Sequence, residues 1–235
     1  MKRLRPVRES DLDDLVALAK MSSGGITSFP PDRELLAEKI TELSHFFALE
    51  DLSTGKVIGC SAVRAQMEGG GPSELSTLFL HPDHRSGGLG RLLSYGRFIY
   101  IAVHLDAFEP TIVARIRGLP DHPQFGKPHP NSLPAVRMLE REGFTFQGDV
   151  DETDLGPWLE CATDKLWTVQ HLRSAPAHIV DHVDGGAQVV AAETDQFRAC
   201  LAPIEENGDI SIPREAAEAL EIADGDTLFY REEAA

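Results

Sequence analysis

The sequence is short of cysteine, of cationic side chains and of long apolar runs, and each shortage removes a class of function. Three cysteines, Cys60, Cys161 and Cys200, stand in 235 residues. Their odd number and scattered spacing fit neither a disulfide framework nor a zinc site and mark them as buried structural thiols. Lysine and arginine number 22 against 38 aspartates and glutamates, a formal charge of −16. A nucleic acid backbone or an anionic membrane needs a cationic face, so neither is an expected partner. A cationic small molecule would be drawn to such a surface, although solubility or a saline habitat accounts for the overall charge equally well. No run approaches the roughly 20 apolar residues of a membrane-spanning helix. The opening Met1-Lys2-Arg3-Leu4-Arg5-Pro6 lacks the apolar core of a signal peptide, so the expected location is the cytoplasm. There is no internal repeat or low-complexity segment.

What is present is enough apolar material for a core, 42% of residues, in one large domain or one and a half. The most informative stretch runs from Glu74 to Val103. A strand-like run, Glu74-Leu75-Ser76-Thr77-Leu78-Phe79-Leu80, passes through His81-Pro82-Asp83-His84 into Arg85-Ser86-Gly87-Gly88-Leu89-Gly90. A helix follows, with Leu89, Leu92, Leu93, Gly96, Ile99, Tyr100 and Val103 at three- and four-residue steps on one buried stripe. Strand, glycine turn and helix make a phosphate cradle, because glycine lets the backbone approach an anion and the helix's first-turn N–H groups point at it. Arg85, Arg91 and Arg97 add positive charge nearby. The spacing Arg-x-x-Gly-x-Gly is neither a dinucleotide fingerprint nor a P-loop. It resembles the coenzyme A pyrophosphate loop of the GCN5-related N-acetyltransferase superfamily, although such a turn alone can also simply close a strand-to-helix connection.

In chain order, residues 4–7 predict a strand, and Ser10-Asp11-Leu12-Asp13 opens a helix whose inward face is Leu12, Leu15, Val16 and Ala19. A Gly/Ser/Pro-rich segment from Met21 to Pro31 breaks regular structure. A second helix over 32–43 turns Leu35, Leu36, Ile40 and Leu43 inward. Phe46 to Glu50 and Val57 to Arg64 read as a hairpin, and Gly69-Gly70-Gly71-Pro72 leads into the central strand. After the phosphate-loop helix comes a strand from Thr111 to Arg117, then an irregular loop over 118–130. A helix begins at Asn131, whose side chain is placed to cap it, and carries Ala135, Met138, Leu139 and the closing Gly143-Phe144. That helix resembles the superfamily's second recognisable element, whose side chains reach the thioester sulfur.

The resemblance implies an α/β (α+β) fold, a mixed and mostly antiparallel sheet with helices on both faces and a cleft where the fourth and fifth strands splay apart. The expected division is an acyl-CoA N-acyltransferase domain at 1–165 and a strand-rich extension with one short helix at 166–235. Within the extension, Ile210-Ser211-Ile212-Pro213-Arg214 with Gly225-Asp226 also resembles the swapped-hairpin DNA-binding domains of bacterial regulators. Its acidic surroundings argue for a structural or dimerising appendage instead.

Strict alternation places Glu74, Ser76, Leu78 and Leu80 on one face of the central strand and Leu75, Thr77 and Phe79 on the other. In the superfamily this strand's backbone N–H groups polarise the thioester carbonyl, and Leu78 is the matching position. An amine acceptor must lose a proton and the leaving thiolate must gain one. Glu74 is a candidate base, or equally a solvated strand-end carboxylate. The superfamily's usual acid is a tyrosine where this chain has Leu139, which holds no proton to give. His129, beside the second helix, is an alternative donor because imidazole is the side-chain type suited to proton transfer near working pH, or it is an ordinary loop histidine.

Taken together the segments resemble one branch, the arginine N-succinyltransferases. The likeness is carried by Arg5-Pro6-Val7 with Ser10-Asp11-Leu12, by Gly24-Gly25-Ile26-Thr27-Ser28, by Glu74 to Leu80, and by Leu92-Leu93-Ser94 with Arg97-Phe98. It continues through His129-Pro130 to Phe144, Gly156-Pro157-Trp158-Leu159-Glu160-Cys161 and, more faintly, Phe197-Arg198 and Gly225-Asp226. It implies transfer of succinyl from succinyl-CoA to the α-amino group of arginine, with His129 as proton donor and Leu78 as a succinyl-CoA contact. Direct attack needs no metal and no covalent enzyme intermediate. The coenzyme side would comprise Leu78, Leu80, Arg85, Gly87, Gly88, Gly90 and Asn131, and the acceptor side Ser22, Gly24, Gly25 and Thr27, a loop that reads equally well as a linker. Two insertions of the family are missing, one where this chain has only Met67 to Ser73 and one where it has only Leu119 to Pro128. The readings left open are an acetyl-CoA-dependent enzyme for another amine or a polyamine, and a non-catalytic acyl-CoA-binding subunit or regulator. The chain is expected as a homo-oligomer or paired with a paralogous subunit.

Overall fold

The computed structural model describes residues 1–22, 28–43, 45–67, 69–119 and 122–232. Numbered along the chain, the strands are β1 Lys2–Pro6, β2 Phe46–Asp51, β3 Lys56–Arg64, β4 Ser73–Leu80, β5 Thr111–Arg115, β6 Thr145–Val150 and β7 Pro157–Ala162. They continue with β8 Leu172–Val180, β9 Ala187–Glu193, β10 Phe197–Pro203, β11 Glu205–Asn207, β12 Asp209–Pro213 and β13 Thr227–Arg231. The helices are α1 Leu12–Met21, α2 Arg33–Glu42, α3 Leu89–Val103, α4 Leu133–Arg141, α5 Trp167–Gln170 and α6 Arg214–Leu220. Among the described residues no helix is long and apolar enough to cross a membrane.

The strands join in one sheet of order β11-β12-β8-β13-β9-β10-β1-β2-β3-β4-β5-β7-β6. Among the described residues only β4/β5 and β12/β8 pair in parallel, so the sheet is mixed and mostly antiparallel. Each face buries a layer of apolar side chains. On one face α1 and α2 cover Leu15, Leu36, Phe46, Cys60 and Phe79. On the other, α3 and α4 cover Leu4, Phe47, Leu92, Phe98, Leu139 and Phe144. A third cluster is built entirely from residues beyond 176, with Ala216, Ala217 and Leu220 of α6 packed on Ile210, Ile212 and Leu228. Residues of β9 and β10, among them Val189, Ala191, Phe197 and Ala199, belong instead to the core beneath α3.

Several expectations are corrected. Leu35 of α2 is 51% exposed while Leu36 is fully buried, because ten residues of helix bury one narrow stripe. The Asp32 side chain caps this helix, accepting from the Glu34 and Leu35 N–H groups at 2.9 and 3.0 Å. Strand β5 stops at Arg115 rather than Arg117. A strand over Leu172–Val180, unanticipated in the sequence, pairs between β12 and β13. Alternation along β4 fails at Thr77, which adopts φ 45. There the β3/β4 register slips, with Ser61 opposite Leu78 and Ala62 opposite Ser76, so Thr77 is the extra residue of a β-bulge. Leu75, Leu78 and Leu80 consequently share the α3 face while Phe79 lies under α1 and α2.

Candidate active site

The site is organised by a pair of strands that part company. Strands β4 and β5 pair only at Ser73↔Ile112, Glu74↔Val113 and Leu75↔Ala114. The last tie between them is an ion pair: the Arg115 guanidinium on β5 donates from Nε to Glu74 Oε1 on β4 at 2.6 Å, with Nη2 at 2.5 Å from the same oxygen. Arg115 also lies over the Trp158 ring, 5.5 Å from its centroid. Beyond Leu75 β4 no longer pairs with β5, and the two strands form the flanks of the candidate cleft. Across it, β5 bends toward β7, and the Ile116 N–H donates to the Pro157 carbonyl at 3.0 Å. Gly118 and Gly156 meet there so closely that a Cβ on Gly156 would stand 2.1 Å from the Ile116 carbonyl oxygen, which is why both positions need glycine.

The β4 flank of the cleft ends in the glycine turn. Gly87 and Gly88 have φ 62 and 81, left-handed values costly for a side chain. No side chain caps the first turn of α3. A Cβ on Gly88 would come within 3.1 Å of the Arg91 guanidinium and 3.3 Å of Leu201; Gly87 and Gly90 face open space. Arg85 folds back so that its Nε donates to the Leu80 carbonyl at 3.1 Å, with the guanidinium carbon 5.7 Å from the Phe79 ring centroid. Arg97, expected nearby, is instead 4% exposed in the middle of α3, where burial lowers its pKa to about 10.

The β5 flank carries His129. Its N–H donates to the Arg117 carbonyl at 2.8 Å, and its Nδ1 accepts from the Asn131 N–H at 3.1 Å. With Nδ1 accepting, the neutral ring carries its proton on Nε2. The sequence assigned the cap to Asn131; the structure starts α4 at Leu133 and puts Asn131, exposed, inside a short 3-10 turn that the His129 ring caps. Leu139, at the superfamily's tyrosine position, is buried in the core.

The remaining assignments fall on both sides of the cleft. Ser22 closes α1, its hydroxyl donating to the Ala19 carbonyl at 2.7 Å; Gly24, Gly25 and Thr27 lie outside the described residues. Ser28, just after them, binds the bulge: the Thr77 N–H donates to Ser28 Oγ at 3.1 Å and the Thr77 hydroxyl to the Ser28 carbonyl at 3.0 Å. Lys39 completes this knot, donating to the Ser28 carbonyl and the Thr77 hydroxyl. Lys39 and Arg115 were missed in the sequence. The available signals were a lysine inside the inward stripe of α2 and a cation closing an apolar strand.

Comparison with known proteins follows the same lines. The family model for the arginine N-succinyltransferase beta subunit matches residues 2–70, 68–125 and 122–168, and that for its C-terminal domain matches residues 173–230. The first match breaks near 70 and near 122, beside the two segments where family insertions are missing. An arginine N-succinyltransferase from Enterobacter sp. is 28% identical over 304 residues, covering 86% of this chain and 88% of the relative. That span exceeds the 235 residues here, so the relative carries residues this chain lacks. The arginine/ornithine succinyltransferase subunit AI from Pseudomonas aeruginosa superposes with a TM-score of 0.87 at 22% identity, over 100% of this chain and 99% of the other. An N-acetyltransferase from Thermoplasma acidophilum, solved in complex with coenzyme A, shares the fold with a TM-score of 0.50 at 14% identity, over 69% of this chain and 99% of the other. With the splayed strands, the bulge and the glycine turn in place, the chain belongs to the arginine N-succinyltransferase beta-subunit family and is an acyl-CoA-dependent N-acyltransferase of the GCN5-related fold.

Proposed function

We propose that this N-acyltransferase moves succinyl from succinyl-CoA to the α-amino group of arginine or a similar cationic amino acid, by direct attack on the thioester. The observation that carries the reading is the separation of β4 from β5 immediately beyond the Glu74–Arg115 pair, with an anion cradle on one flank and a histidine turn on the other. In this reading the pyrophosphate rests on the first turn of α3 at Gly87, Gly88 and Gly90, helped by Arg85. The pantetheine runs beside β4 past Leu80, and the Leu78 N–H supports the oxygen that becomes negative in the tetrahedral intermediate. The amine forms its bond to the carbonyl carbon, loses a proton, and the C–S bond then breaks toward a thiolate that must be protonated. His129 presents its Nε2–H to that sulfur, with Asn131 holding the turn. The Arg115 guanidinium already engages Glu74, so Glu74 accepts the amine's proton only if a water relays it or the pair opens. Ser22, Gly24, Gly25 and Thr27 border the acceptor.

The test is thiol release from succinyl-CoA and acetyl-CoA, each offered with arginine, ornithine, other amino acids and polyamines. Turnover of succinyl-CoA with arginine supports the reading; preference for acetyl-CoA or a polyamine replaces the substrate. A second reading, one member of a two-subunit cytoplasmic enzyme, is favoured by the beta-subunit description of the family and by the missing insertions. It predicts tight acyl-CoA binding without turnover until a paralogous subunit is added.

A further inference from the structure

The face of β4 beneath α1 and α2 holds polar groups that the chemistry above does not employ. An ammonium has three N–H donors, and among the described residues Lys39 uses two, on the Ser28 carbonyl and the Thr77 hydroxyl. Among the described residues no carboxylate forms an ion pair with it; its other neighbour is the Phe46 ring, 5.4 Å to the centroid. Glu74 lies on the same strand, but its carboxylate is held by Arg115. Burial lowers the Lys39 pKa to about 8. Ser76 is 6% exposed, and its hydroxyl has no hydrogen-bond partner among the described residues. Because Leu75 faces α3, Ser76 faces α1 and α2, the side on which Lys39 meets Thr77.

We propose that Lys39 and Ser76 form a carboxylate subsite at the acyl end of the cleft, taking the distal carboxylate of a dicarboxylic acyl group or the α-carboxylate of the acceptor amino acid. The inference rests on the acyl-transfer reading for where the thioester lies. Thr77, which Lys39 grips, adjoins Leu78, and one residue of strand advances about 3.3 Å. The two methylenes of a succinyl group cross that step, whereas an acetyl methyl has nothing to offer the ammonium. A partly buried cation that uses two of its three donors among the described residues is costly, and so is a buried hydroxyl without a partner among them. A carboxylate between them satisfies both through charge-assisted hydrogen bonds.

The experiment compares the wild type with Lys39→Met, Lys39→Arg and Ser76→Ala. Calorimetry reads affinity for CoA, succinyl-CoA and butyryl-CoA, in which a methyl replaces the carboxylate; turnover reads KM for arginine and for its decarboxylated analogue agmatine. If the acyl carboxylate is the ligand, Lys39→Met weakens succinyl-CoA about 10- to 100-fold relative to butyryl-CoA, Ser76→Ala does so less, and Lys39→Arg restores part of the preference. If the acceptor carboxylate is the ligand, the same variant instead erases the preference for arginine over agmatine. Unchanged CoA affinity shows that the variants fold. Both preferences unaltered in Lys39→Met, or equal losses for every ligand, overturn the subsite. Because the acyl-CoA affinity ratio is read without turnover, a wild type that binds but does not react would defeat the catalytic reading and leave the subsite to be judged on its own.

Discussion

The two flanks of the cleft are built alike and end differently. Each carries a His-Pro turn in which the histidine ring caps a short 3-10 segment, directly after β4 on one flank and well beyond the end of β5 on the other. His81 (φ −49, ψ 132) accepts at Nδ1 from the Asp83 N–H at 3.2 Å, and His129 (φ −59, ψ 140) from the Asn131 N–H at 3.1 Å. Local geometry therefore does not tell the two histidines apart. Their surroundings do: His81 lies near the Asp83 carboxylate, 3.9 Å away, and edge-on to His84, 5.4 Å between ring centroids, and leads directly into a glycine turn. His129 follows a longer loop, anchored where β5 meets β7. In the proposed reading the same capping device leads into the phosphate-binding turn on one side and toward the thioester sulfur on the other, so the two rings differ in what each turn leads to and not in how each is held.

The sharpest way to break this comparison is to truncate each ring. His129→Ala should lower kcat about 100-fold or more with CoA affinity nearly intact, and His81→Ala should leave kcat within a few-fold, as read by thiol release and calorimetry. Equal losses would make both rings mere caps. The pair that joins the flanks comes next. Glu74→Gln should cost about 2 kcal/mol in thermal or urea unfolding, the usual penalty for breaking a buried pair reduced because the Arg115 side chain is 40% exposed. Loss of turnover with unchanged stability would make Glu74 a base rather than a tie. On the cradle side alone, Gly88→Ala forces a side chain into a left-handed site and should weaken CoA binding roughly tenfold, worth about 1.4 kcal/mol, without altering the pH profile of kcat.

A last expected effect is a titration at the wall between the flanks. Lys39 falls from 10.5 unfolded to about 8 folded because of burial, so between those values the unfolded chain binds more protons and folding is favoured as pH rises. Wild type should therefore gain stability over Lys39→Met from about pH 8 to 10.5. The difference between the two is the informative quantity. Cys60, which faces Lys39, is pushed by burial up to about 12 and acts in the opposite direction above about pH 9, and Arg64 and Glu74 share that face.

Much of this was legible in the sequence. The apolar stripe of α3, the glycine turn and the hairpin β2–β3 each rest on local periodicity or on residues with one conformational use. The failures have a common cause, in that they depend on contacts between distant segments. The bulge at Thr77 is fixed by Ser28 and Lys39, and nothing within Glu74 to Leu80 announces it. Asn131 looked like a cap because its residue type caps helices, yet a ring two positions earlier filled that place. Arg97 read as positive charge near the glycine turn because its burial depends on packing beyond its own helix.

The join between β10 and β1 bears on how the protein is made. Strand β1 lies between β2 and β10, and the core beneath α3 includes Val189, Ala191, Phe197 and Ala199. A nascent chain emerging from the ribosome thus leaves the part of this core that Val189, Ala191, Phe197 and Ala199 cover exposed until those residues appear. Such late, long-range closure folds slowly and leaves apolar surface open to association in the meantime. A chain stopped near residue 165 would then be a sticky folding intermediate, dependent on chaperones for its solubility, rather than a smaller enzyme.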